Sequence, residues 1–100
     1  MNDRLTFFKE VAAEIEHERA FYREKSRVAE ASFLRELDHA VESVSANPDA
    51  WPTYMAGTRR YVFPKFPFSL VYFREAERVF VVALVAEHRM PGYWINRLPR

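Results

Sequence analysis

The sequence predicts an α+β domain: an N-terminal strand, an αα-hairpin, then a three-stranded antiparallel run, with both helices packed on one face of the sheet. Three observations carry this. Apolar residues recur at helical spacing through residues 9–46. Apolar runs rich in Val, Phe and Tyr fill much of residues 60–86. A stretch of turn formers at residues 47–58 separates the two regions.

The elements follow in order. Leu5 to Phe8 is short and apolar and predicts the first strand. Residues 9–26 predict a helix, with Phe8, Val11, Ala12, Ile15 and Tyr22 on one face and Glu10, Glu14, Glu16, Arg23 and Glu24 mostly turned away. Glu18 projects onto the apolar face. It either reaches the helix edge beside a basic partner or marks something specific, since an unpaired buried carboxylate is costly. A second helix runs from Val28 to Ala46 on a stripe of Phe33, Leu34, Leu37, Ala40, Val41 and Val44. Ser26 is placed to cap it, and Asn47-Pro48 ends it because proline cannot continue a helix. Each stripe needs a surface, and a sheet supplies one. The stripe of the second helix is expected to bury against the strand Val79 to Ala86.

Trp51, in the loop, reads as a plug over the helix end. Three strands follow: Arg60 to Phe63, Phe68 to Arg74, and Arg78 to Ala86. Pro64 and Pro67 bracket the first connection and cannot donate to a ladder. Arg74-Glu-Ala-Glu-Arg78 is a charged hairpin turn. Val79 to Ala86 is continuously apolar, the signature of an interior strand covered on both faces.

One hundred residues with 49% apolar content make a single domain, residues 1–100, with one core. With no cysteine there is no disulfide or thiolate metal site, and the chain fits a reducing compartment. No apolar run approaches the ~20 residues of a membrane span, and the first residues lack a signal-peptide layout. A soluble, cytoplasmic protein is expected. The net charge of +1 is uneven: residues 1–50 hold 7 Lys/Arg and 11 Asp/Glu, and residues 51–100 hold 8 and 3. The basic half either attracts an anionic partner, nucleic acid or an acidic peptide, or is an ordinary solvated surface.

Familiar chemistries are missing. There is no glycine-rich phosphate loop, no nucleophile elbow and no metal-ligand spacing, with His17, His39 and His88 far apart; no metal or cofactor is expected. What remains is Arg59, Arg60, Lys65, Arg74, His88, Arg89, Tyr93, Trp94 and Arg97. Arginines give planar donors for phosphates, tyrosine stacks or moves a proton, and histidine titrates near neutrality. Such a set can hold RNA or the acidic residues of a protein, or can be plain strand-end surface.

The order Arg59-Arg60, then Phe66-Pro-Phe-Ser-Leu-Val-Tyr72, then a strand, then His88-Arg-Met-Pro-Gly-Tyr-Trp-Ile-Asn-Arg97 resembles the RelE/ParE superfamily of bacterial toxins, over roughly residues 4–97. The resemblance implies the toxin of a type II toxin–antitoxin pair, bound by a cognate antitoxin. The RelE branch cleaves ribosome-bound mRNA with basic residues on the central strands and an arginine and tyrosine near the C-terminus. Arg89 and Tyr93 match that terminal pair, and Arg60 matches a strand lysine in charge, with His88 in support. Val62 and Ser69 stand where two further basic residues are expected. Loss of two charges that steady a cleaving phosphate costs most of the catalysis. The pattern is therefore closer to the ParE branch, which poisons DNA gyrase. The alternatives are a RelE-like mRNA endoribonuclease and a non-toxic binding module on the same fold.

Overall fold

A computed structural model describes residues 5–99. The chain runs β1 (Leu5–Phe7), α1 (Lys9–Lys25), α2 (Arg27–Ala46), β2 (Arg59–Val62), β3 (Phe68–Glu75) and β4 (Arg78–Ala86), with single 3₁₀ turns at Met55–Gly57 and Ile95–Arg97. The expected order holds, and most boundaries move by a residue. The first helix stops at Lys25 because Ser26 is extended, and the Ser26 hydroxyl accepts from the Ala29 N–H at 3.0 Å to cap α2, as expected. Asn47 closes α2 before Pro48.

The strands form one sheet in the order β1-β4-β3-β2. β2, β3 and β4 are antiparallel neighbours, as read from the sequence. β1 joins beyond them, parallel to β4, with Leu5 opposite Val79 and Phe7 opposite Val81. This puts β4 in the interior and explains its unbroken apolar run: Val79, Val81, Val82 and Ala83 are fully buried.

The sheet buries both faces unequally. On one side Val11, Phe33, Leu37, Ala40 and Val44 of the helices meet Leu70, Tyr72, Val79, Val81 and Leu84 in the main core. Leu37 is buried, as the stripe requires. The helix lying closest over β4, however, is α1, with α2 stacked beside it. The α2 stripe reaches the core through its aromatic end instead: Phe33 stacks on Tyr22 at 5.4 Å and meets Phe68 edge-on at 5.6 Å. The hairpin is pinned outside by Arg19 and Arg23, which share the Glu30 carboxylate at 2.7 and 3.2 Å. On the other sheet face Val71, Val82, Ala83 and Trp94 make a smaller core. Trp51 packs edge-on against Tyr61 at 4.8 Å. The Tyr72 hydroxyl donates to the Pro48 carbonyl at 2.7 Å, tying the 47–58 loop to the sheet.

Candidate functional site

Site geometry begins with an irregularity in β4. Its pairing with β3 jumps from Val71–Ala83 to Tyr72–Val81, so Val82 is an extra residue, a β-bulge. Val82 and Ala83 both join the Trp94 cluster, whereas Val81 and Leu84 belong to the helix-side core. β1 pairs no further than Val81, where the Phe8 N–H donates to the Val81 carbonyl at 2.9 Å before the chain turns into α1. Among the described residues no strand covers the β4 edge beyond that point.

Side chains take over there. The Leu84 N–H donates to Glu14 Oε1 at 3.0 Å, and Arg97 Nη1 donates to the Val82 carbonyl at 2.9 Å. Arg97 Nη2 meets Glu14 Oε2 at 2.9 Å, and the Tyr93 hydroxyl donates to the same oxygen at 2.6 Å. One carboxylate thus gathers a strand, a tyrosine and an arginine. Glu14 was read as turned away from the apolar face. That reading is corrected: the helix lies so close to β4 that this carboxylate serves as a missing ladder partner. The sequence held one signal, the two donors Tyr93 and Arg97 in a stretch, residues 88–100, that contains no acidic residue. Burial, then the hydrogen bond to Glu14, pushes Tyr93 up to about 12, so it stays a neutral donor.

Tyr93 is in turn a platform. The guanidinium of Arg89 lies 3.9 Å from its ring centre and that of Arg97 5.2 Å. Across the sheet end, Arg60 lies 4.3 Å over Tyr54. Arg60 and Arg89 line one cleft of about 220 Å³, with Val62, Ser69 and Val85 in its wall and Glu87 at its side. Val62 and Ser69 are direct cross-strand partners. Neither Arg60 nor Arg89 forms an ion pair among the described residues. Two carboxylate-free guanidiniums, each steadied on an aromatic ring, suit an anionic group. The cleft holds no histidine, and the tyrosine hydroxyl beside it is committed to Glu14. It is equipped for binding an anion more than for moving a proton.

The other residues singled out lie elsewhere. Arg59 donates to the Trp51 carbonyl at 2.6 Å, and Arg74 pairs with Asp49, so both hold the 47–58 loop. Lys65 is exposed in the β2–β3 connection. Trp94, expected on a binding surface, is completely buried: the bulge brings Val82 and Ala83 against it, and the aromatic area lost to water favours this. His88 is exposed and faces α1 rather than the arginine cleft.

Between α1 and the end of β4 run two adjoining hollows of about 270 and 330 Å³, both lined by His17, Glu18, Ala86 and His88. Glu18 is partly buried there. It forms no ion pair among the described residues, so it has no basic partner at the helix edge. Burial, then the charge of Glu18, raises the Tyr22 hydroxyl above its ordinary value.

No protein-family model matches this chain, and no curated protein matches its sequence. A solved structure does match: a chain described as the chromosomal ParDE TA (toxin–antitoxin) system from P. aeruginosa, with a TM-score of 0.61 and 16% identity, over 82% of this chain and 92% of that one. At that identity the likeness is one of fold. Two helices laid on one face of a four-stranded sheet, with β1 parallel to the central β4, give this chain the RelE/ParE-type fold shared with the ParDE structure.

Proposed function

We propose that this protein is the toxin of a type II toxin–antitoxin pair, that it acts in the cytoplasm by engaging a protein target, DNA gyrase first, and that a cognate antitoxin neutralises it. The fold shared with a ParDE chain supports the toxin part. One observation supports a binding role over RNA cleavage: the Val62–Ser69 pair occupies the wall between Arg60 and Arg89. An RNA-cleaving site needs charge there to stabilise a crowded phosphate, and a valine and a serine supply none. Arg60, Arg89 and the rings of Tyr54 and Tyr93 that steady them then serve as an anchoring patch for acidic residues of a protein.

The second reading, a RelE-like mRNA endoribonuclease, is favoured by the convergence of Arg60 and Arg89 on one cleft. One experiment separates the readings: inducible expression with and without the adjacent open reading frame, followed by assays of DNA supercoiling and of mRNA integrity. Growth arrest with cleaved or relaxed DNA and intact mRNA is expected, relieved by the neighbour. Codon-dependent mRNA cuts would instead establish the nuclease. Harmless expression with no copurifying small protein would leave a non-toxic binding module.

A further inference from the structure

Glu18 is the one feature of the sequence that neither the core nor the arginine cleft absorbs. It stands on the wall of the larger hollow beside α1, whose floor and rim are Tyr22, Phe68, Ala86, Pro67 and Phe21. That hollow is lined by two histidines and a single carboxylate, Glu18, with no lysine or arginine among its lining residues. Phe21 is 49% exposed on its rim, a large aromatic surface left in water. Lys25 lies 4.9 Å over the Phe21 ring on the solvent side and forms no ion pair with Glu18. Arg89, the nearest strong cation of the adjoining hollow, is held on Tyr93 and does not line this one.

We infer that this hollow is a docking groove for a protein segment that places an apolar side chain against Tyr22 and Phe68 and a lysine or arginine on Glu18. An apolar pocket with one unpaired carboxylate on its wall matches an apolar anchor followed by a cation, and it repels an acidic segment. The stretch of α1 from His17 to Tyr22 that lines it spans roughly 8 Å at 1.5 Å per residue, room for one or two turns of a helix or a few extended residues. Neither Arg60 nor Arg89 lines the groove, although Ala86 lines both it and the arginine cleft, so the two are neighbouring but distinct hollows. Within the toxin–antitoxin reading this partner is the neutralising one, and the groove deepens that reading by giving the partner a basic contact.

The test does not depend on toxicity. A displayed random 12-residue peptide library is panned on the purified protein, and enriched peptides are synthesised and titrated. Peptides combining a large apolar residue with Lys or Arg should enrich. Their affinity should fall about 10-fold for Glu18→Gln, a loss of one partly desolvated ion pair, and as much for Phe21→Ala. Both substitutions are on partly or largely exposed side chains, so circular dichroism and melting should stay near those of the parent. Charge reversal should reverse preference: Glu18→Lys should select acidic peptides. Enrichment of acidic peptides by the parent, affinity indifferent to Glu18→Gln, or self-association of the protein through this groove on gel filtration would each overturn the inference. The toxin reading would survive all three, since growth arrest and its relief are measured independently.

Discussion

At the scale of the residue, Glu14 carries the most. Its side chain is 14% exposed and that of Arg97 15%, so the pair is largely withdrawn from water. Removing one member of such a pair leaves the other charge uncompensated. Glu14→Ala should cost about 3 kcal/mol, read as a lower urea midpoint with an unchanged slope. A loss under about 0.5 kcal/mol, the level of an exposed pair, would refute the hub. Alkaline pH gives a second measurement. Tyr93 and Tyr72 are both raised to about 12, chiefly by burial, from an ordinary 10.0. The unfolded chain then ionises first. Stability is full below about pH 10 and falls as pH rises toward 12. Tyr93→Phe should flatten that decline while removing one hydrogen bond, followed by equilibrium unfolding across pH 8–11.

At the scale of the element, the β3–β4 hairpin and α2 make separate predictions. Ala76 sits in the turn with φ 57, a region that costs a residue with a Cβ roughly 1 kcal/mol. Ala76→Gly should therefore raise the melting midpoint by a few degrees, despite the extra freedom it gives the unfolded chain. Leu37 is 8% exposed in the main core, so Leu37→Ala should cost about 2–5 kcal/mol in denaturant. These elements were legible because their causes are local. Ser26 and Asn47-Pro48 mark helix ends by their own chemistry, and the run from Val79 to Ala86 announces an interior strand by having no polar alternation. The bulge at Val82 was not legible, since all its neighbours are apolar and a one-residue slip leaves no trace in such a run. Glu14 was missed for a related reason. Helical periodicity locates a face, but it cannot report that a backbone N–H 70 residues away lacks a strand partner.

At the scale of the whole molecule, two neighbouring hollows carry opposite chemistry. The cleft between Arg60 and Arg89 carries unpaired cations, and the groove beside α1 carries an unpaired anion. Under the proposed function, Arg89→Ala should weaken growth arrest by at least several-fold while leaving the stability to unfolding within about 0.5 kcal/mol of the parent, because Arg89 is exposed. Dose–response of growth arrest against induction level measures the first, and denaturation the second. Of this arrangement the sequence showed the basic half and its arginines. It did not show that Arg59 and Arg74 are spent on holding a loop, because their acceptors, the Trp51 carbonyl and Asp49, become neighbours only when β2 and β3 pair.

The parallel pairing of β1 with β4 has a consequence for synthesis. Leu5 and Val79 are partners, so the first strand made waits for the last one. At the usual ~5–20 residues per second of translation, that wait is roughly 4–15 s. Until then the apolar face of the αα-hairpin has no sheet to cover it, and the nascent chain depends on whatever else can shield Phe33 and Tyr22. A sheet that acquires its central strand last also acquires its surfaces all at once. A chain interrupted before β4 therefore offers neither the arginine cleft nor the groove, since β4 residues line both.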